Sequence, residues 1–229
     1  MRCLKVLILA LVLAAGSAWS VPLGDGLTAY AEGDYATALR LFRPLAEHGE
    51  SGAQYFLAEM YANGKGVPKD DQLAVSWYRK AAEQGLTIAQ GSLGYMYAKG
   101  RGVPKDDQLA VSWYRKAAEQ GYAFSQYSLG LMYANGKGVP KDDQQAAFWL
   151  RKAAEQGDHD AQSYLGYMYA MGQGVPKDDQ QAYFWWLLAS VGGDATAIKN
   201  RDLIEDRLTP QQRAAAQADA RHWKPKSAR

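Results

Sequence analysis

Apolar positions recur three and four residues apart along most of the chain, in short and evenly spaced blocks. In 161–170, Leu165, Met168 and Tyr169 fall on one helical face. In 70–85, Ala74, Trp77, Tyr78 and Ala81 form a second apolar stripe. Polar punctuation separates the blocks. Gly64-Lys65-Gly66 closes one helix, because glycine tolerates the left-handed backbone that ends it. Val67-Pro68 then forces an extended step. Asp70 and Asp71 open the next helix, one carboxylate capping free N–H groups and both favouring the positive end of the helix dipole. Gly85 ends that helix. The predicted elements are therefore pairs of short helices with tight loops and no strands.

The pairs are copies of one another. GVPKDD begins at Gly66, Gly102, Gly138 and Gly174, each 36 residues after the last. Residues 66–85 and 102–121 are identical over twenty positions, and 138–157 keeps sixteen of them. The copy at 174–193 keeps GVPKDDQ, Ala182, Trp185, Ala189 and Gly193. A glycine in the middle of the first helix (Gly94, Gly130, Gly166, with Ala58 in the first copy) weakens an isolated helix by about 1 kcal/mol and points to close helix contact. Two short helices cannot bury both faces alone, so the copies must stack on one another.

The pattern AQ-x-x-LG-x-MY-x-x-G-x-GV-x-x-D, followed by A-x-x-WY-x-KAA-x-QG, resembles the Sel-one-like repeat, a relative of the tetratricopeptide repeat. The resemblance covers about 53–193 and implies an all-α, right-handed superhelix, a solenoid of helix pairs. It also implies a role as adaptor or scaffold, with the first helices lining a concave surface. Many bacterial members are exported and act in the envelope or on host proteins.

The expected organisation places four such repeats over 51–196. Residues 24–50 resemble a tetratricopeptide-like helix pair turning at Gly33-Asp34 and capping the array. In the last repeat Arg79, Lys80 and Glu83 are replaced by Leu187, Leu188 and Val191. A solvated face has become apolar, so the following segment is expected to cover it with C-terminal capping helices over 197–223. Thr209-Pro210 there reads as an N-cap followed by proline at the first helical position. Residues 224–229 are expected to be a frayed tail.

Charge and cysteine change the picture only at the N-terminus. Arg2 and Lys5 precede an unbroken apolar run, Val6 to Ala15, and small residues follow at Gly16 to Ser20. The run is roughly 15 Å of helix, half of a bilayer core. Residues 1–20 are therefore expected to be a cleaved signal peptide and the mature protein to be periplasmic or secreted, with no membrane span. Removing them leaves 24 basic and 24 acidic residues from a chain of formal charge +2. A neutral surface gives no argument for nucleic acid, and none for a second copy; a monomer is expected. Cys3, the single cysteine, lies in that leader, so no disulfide or thiolate is expected in the mature chain.

No catalytic constellation emerges. The aspartate pairs at 70/71, 106/107, 142/143 and 178/179 recur at every helix start, as caps do and a unique active site does not. They lack the alternation of a calcium loop. His48, His159 and His222 are scattered without ligand spacing. No serine-nucleophile motif is present, and the Gly-x-Gly segments end helices, the reverse of a phosphate cradle. Cysteine-rich relatives are associated with β-lactam chemistry, but without mature cysteines that association does not carry over. No cofactor and no metal are expected. The tryptophans at 77, 113, 149 and 185 read as repeat core, with ligand stacking as the alternative.

The remaining clue is where near-identical repeats differ. Positions 55, 91, 127 and 163 carry Tyr, Gly, Tyr and Ser; 59, 95, 131 and 167 carry Glu, Tyr, Leu and Tyr; 63, 99, 135 and 171 carry Asn, Lys, Asn and Met. Tyrosine and methionine are enriched in interface cores. The expected partner-binding residues are Tyr55, Glu59, Tyr95, Lys99, Tyr127, Leu131, Tyr167 and Met171, on a concave groove that takes a peptide or protein. The expectation is a non-enzymatic interaction scaffold. The alternatives are a peptidoglycan-related enzyme or glycan-binding factor of the envelope, and a purely structural role in envelope assembly.

Overall fold

A computed structural model describes residues 20–227. The expected leader lies outside the described residues apart from Ser20. Helices follow one another as α1 (Ser20–Glu32), α2 (Tyr35–Glu47), α3 (Ser51–Asn63), α4 (Asp71–Glu83), α5 (Thr87–Lys99), α6 (Asp107–Glu119), α7 (Ala123–Asn135), α8 (Asp143–Glu155), α9 (His159–Met171), α10 (Asp179–Val191), α11 (Ala195–Glu205) and α12 (Pro210–His222). No strand occurs among the described residues. The architecture is a helical repeat solenoid.

Helix boundaries follow the punctuation. Asp70, Asp106, Asp142 and Asp178 are the N-caps of α4, α6, α8 and α10, and each carboxylate accepts from backbone N–H groups of the first turn. Thr209 and Gln212 form a reciprocal capping box ahead of α12, with Pro210 opening the helix.

Contacts divide the chain into two compact units, one ending at Lys105 and one beginning at Asp106. In the first, α1 packs on α2, α2 on α3, α3 on α4 and α4 on α5. Its core gathers Leu27, Phe42, Leu45, Phe56, Leu57 and Met60. The rings of Phe42 and Phe56 stack there at 5.3 Å. In the second, α6 to α11 pack in sequence and α12 lies against α10. Leu150, Leu165, Met168, Trp185 and Leu188 form one core, and Tyr183, Trp186, Ile204, Leu208 and Ala216 a second.

Three recurring devices stitch neighbouring helices together. The first is a buried glutamine. Gln54, Gln90, Gln126 and Gln162 each donate from Nε2 to a carbonyl eight residues back, on Ala46, Ala82, Ala118 and Ala154, at 3.1–3.2 Å. A buried amide is tolerated only when bonded, so each specifies how one helix pair meets the next. The second is an arginine–tyrosine bond eighteen residues apart: Arg79–Tyr97, Arg115–Tyr133 and Arg151–Tyr169, at 2.6–2.7 Å. The third is the second glycine of each Gly-x-Gly. A Cβ on Gly102 would sit 2.0 Å from the Asp71 carbonyl oxygen, and one on Gly174 would sit 1.9 Å from that of Asp143. The loop of one repeat is thus seated on the start of the second helix of the repeat before it. Helix-interior glycines work the same way: a Cβ on Gly130 would meet Leu150 at 2.7 Å, and one on Gly166 would meet Trp186 at 2.7 Å.

Three expectations are corrected. The tryptophans sit unequally on the core, and Trp77 packs against that of the first unit only from its edge. Trp185 is buried, whereas Trp77 and Trp113 are half-buried beneath Lys80 and Lys116, whose ammonium groups lie 3.9 and 4.2 Å from the ring centres. An amphipathic lysine one turn on covers each ring and leaves its charge in water. The apolar replacement in α10 is only partly covered: Leu188 is buried, but Val191 is 82% exposed at the helix end. Nor is 224–227 a frayed tail. Trp223 packs on the α8–α10 core. The Lys226 N–H donates to the Glu155 carbonyl at 2.8 Å, and its ammonium pairs with the Glu155 carboxylate at 2.9 Å.

Candidate functional site

The first helices of the pairs are buried on most sides. In α3, Gln54, Phe56, Leu57, Ala58 and Met60 are all buried, which leaves a narrow strip along 55, 59 and 63. The predicted binding residues lie on this strip and on its equivalents in α5, α7 and α9. Each strip opens toward the C-terminal end of its helix, where Asn63, Lys99, Asn135 and Met171 are exposed.

In the unit ending at Lys105, Tyr55 is half-buried against Phe56 and Tyr78, with ring centres 5.2 and 5.8 Å away. Glu59 accepts a hydrogen bond from the Tyr78 hydroxyl and another from Asn63 at 3.0 Å. Burial and the Glu59 carboxylate hold the Tyr78 phenol well above its ordinary range. Tyr95 is half-buried, and the Lys99 ammonium lies 5.9 Å from its ring centre. Beside it Arg101 pairs with Asp71 at 2.6 Å, which lowers the Asp71 pKa.

In the unit beginning at Asp106, Tyr127 is packed on the α8–α10 core, and burial followed by Asp160 and Asp158 pushes its phenol up to about 12. Leu131 is half-buried. Tyr167 and Met171 are the open members, 39% and 58% exposed. The Tyr164 ring meets that of Tyr167 edge-on at 6.0 Å.

One feature was missed in the sequence. A cleft of about 790 Å³ is lined by Glu119 and Gln126 on α6 and α7, by Phe148, Trp149, Lys152 and Glu155 on α8, and by Gln156, with Lys226 and Ser227 of the C-terminal segment at its side. Its signal was present in the exchange of Ser76 and Ser112 for Phe148 at the same repeat position. That exchange moves the lysine. Lys152 lies 5.1 Å from the Phe148 ring centre, whereas its counterparts cover the tryptophan. No group of three or more potential metal ligands occurs among the described residues.

Comparison with known proteins agrees with this geometry. The family model described as Sel1 repeat matches residues 23–50, 51–86, 87–122, 123–158 and 159–194. The chain belongs to the Sel1 repeat family. The crystal structure of c5321, a protective antigen of uropathogenic Escherichia coli with an SLR fold, is 41% identical with a TM-score of 0.76. The match covers 84% of this chain but only 42% of that one. A Sel1 repeat protein from Oxalobacter formigenes is 36% identical with a TM-score of 0.72, over 76% of this chain and 72% of its own. A Klebsiella pneumoniae protein described as a sel1 repeat protein, 23% identical with a TM-score of 0.52 over 82% of this chain and 93% of its own, shares the fold. No curated protein matches the chain.

The family's first match, 23–50, takes in α1 and α2, so that helix pair is itself a Sel1 repeat. Sel1-repeat proteins act in general as protein-interaction scaffolds without catalysis of their own. No helix among the described residues is long and apolar enough to cross a membrane.

Proposed function

We propose that this Sel1-repeat chain captures a peptide or protein partner through the first-helix strips, and that it does so in the periplasm or outside the cell. The observation that carries the reading is the exposure of Tyr167 and Met171. They are large residues at positions that vary between near-identical repeats, and they stand 39% and 58% open on α9. Large apolar and aromatic side chains that stand open on a helix are typical interface anchors. Tyr55, Glu59 and Tyr127 contribute less, since internal contacts already engage them, and Tyr95 with Lys99 and Leu131 complete the strips. Export is proposed on the basic start and apolar run of 1–20.

The test is capture of cross-linked partners from bacterial envelope and medium by the chain and by its Tyr95→Ala/Leu131→Ala/Tyr167→Ala variant. A specific protein partner lost in the variant, with the helical circular dichroism intact, is the expected result. Capture that survives the triple exchange overturns the strip assignment. Enrichment of cell-wall glycan in place of protein overturns the scaffold reading itself.

A further inference from the structure

The cleft beside α8 lies apart from the first-helix strips, and none of Tyr95, Leu131 and Tyr167 lines it. Its volume of about 790 Å³ falls within the roughly 300–1,000 Å³ typical of small-ligand sites. Two aromatic rings make a corner in its wall. Phe148 is 49% exposed, and its ring meets that of Trp149 at 4.9 Å with the planes 82° apart. In the two earlier copies a serine, Ser76 or Ser112, stands at the Phe148 position, and a lysine ammonium covers the tryptophan at 3.9 or 4.2 Å. Here Lys152 lies 5.1 Å from the Phe148 ring centre. A phenylalanine placed for the core would be enclosed by it; this one leaves half of its surface in water.

The charges around the corner cancel. Glu119 and Glu155 stand against Lys152 and Lys226, and Glu155 already pairs with Lys226 at 2.9 Å. A balanced lining draws neither anions nor cations from solution, which argues against phosphorylated ligands, nucleic acid and strongly charged peptides. The polar groups include both donors and acceptors. Gln156 donates twice from Nε2, to the Gly121 carbonyl at 2.9 Å and to Gln126 Oε1 at 2.7 Å, so its amide keeps only acceptor capacity. Glu119 is a second acceptor, while Lys152 and the Ser227 hydroxyl are donors. The ligand that suits this lining is neutral, donates and accepts along its rim, and has an apolar face for a ring. A sugar ring meets all three conditions. Its hydroxyls act as donor and acceptor, and its C–H face packs on an aromatic surface by dispersion.

We propose that the cleft binds a neutral carbohydrate, with one sugar ring against the Phe148–Trp149 corner and its hydroxyls bonded to Glu119, Gln156 and Lys152. The C-terminal segment takes part as a wall. Lys226 is held on Glu155 through its N–H and its ammonium, which keeps Ser227 at the side of the cleft. The proposal goes beyond the scaffold reading and does not depend on it. A sugar in this cleft and a protein on the first-helix strips are compatible, and each is lost through different residues.

The test titrates maltotriose, cellotriose and chitotriose against the full chain by calorimetry, with a sulfated heparin disaccharide as the charged comparison. Phe148→Ser restores the residue of the two earlier copies and removes the open ring. Glu119→Ala removes an exposed acceptor outside every core. Saturable binding of at least one neutral trisaccharide is expected, weakened about tenfold by Phe148→Ser and about tenfold by Glu119→Ala. Binding of none of the three overturns the proposal. So does tighter binding of the heparin disaccharide than of every neutral sugar, or an affinity that either exchange leaves unchanged. Thermal melts verify that both variants are folded. Partner capture by the first-helix strips is scored separately, so the two readings fail independently.

Discussion

The Tyr78 hydroxyl on α4 donates to the Glu59 carboxylate on α3, joining the two helices of one repeat through a group that is otherwise enclosed. Tyr78 is 3% exposed, so Glu59 is its route to a hydrogen bond. Glu59→Ala is expected to destabilise the chain by about 1–3 kcal/mol, because it leaves a buried donor unmade. Tyr78→Phe, which removes the donor as well, is expected to restore most of that loss in the double variant. Urea unfolding of the four chains checks the coupling. Additive losses would show that the bond contributes nothing.

Two glycines two residues apart are expected to behave differently. Gly172 has φ +68, and its Cβ would stand 3.3 Å from the Lys177 Cβ, a tight contact that a shift of a few tenths of an ångström relieves, so Gly172→Ala meets chiefly the left-handed penalty of about 1 kcal/mol. Gly174 has φ +65, and its Cβ would strike the Asp143 carbonyl. Gly174→Ala is expected to cost about 2 kcal/mol or more, since backbone must move as well. Thermal unfolding of the pair ranks them, and equal losses would mean that the seating on Asp143 is not tight.

Asp158 caps α9 through Ala161 while burial raises its pKa. A raised carboxyl favours the protonated form in the folded state, so ionisation lowers stability as pH rises through the folded pKa. Asp158→Asn keeps a capping oxygen without the buried charge. It is expected to stabilise the chain at neutral pH and to lose its advantage in acid, where Asp158 is protonated. Denaturation midpoints across pH check the crossover.

Tyr127 supplies an alkaline counterpart. With a folded pKa of about 12, and an unfolded value near 10, its neutral form is favoured in the folded state. Its contribution is fully present below about pH 10 and declines as pH rises toward 12. An ultraviolet titration should show several late-ionising tyrosines, Tyr78 among them, and one fewer in Tyr127→Phe.

Helix pairs, caps and loops could be read before the structure because they depend on neighbours in sequence. Asp70 bonds N–H groups two and three residues on, and Gly64 needs nothing beyond its own dihedrals. Other features depend on distant partners. Gln162 looks like a polar interruption until Ala154 is placed beside it. Trp77 shares spacing with Trp185, yet a lysine stands over the first and neighbouring helices enclose the second. Val191 has an apolar side chain and still projects into water, since side-chain character describes preference and not what covers it. The tail has no periodicity to betray it, and only Glu155 shows where it goes. Among the proposed binding residues, helix phase placed the strips, but it could not separate the engaged Glu59 from the open Met171.

The seating of Gly102, Gly138 and Gly174 on the aspartate of the repeat before each makes these repeats interchangeable. The surface that Gly138 meets at Asp107 is the one that Gly174 meets at Asp143. Excising 123–158 in register would present Gly174 with Asp107, and the joint would be of the kind just removed. Recombination between near-identical gene segments can therefore lengthen or shorten such a chain by whole repeats, changing reach without inventing a new joint.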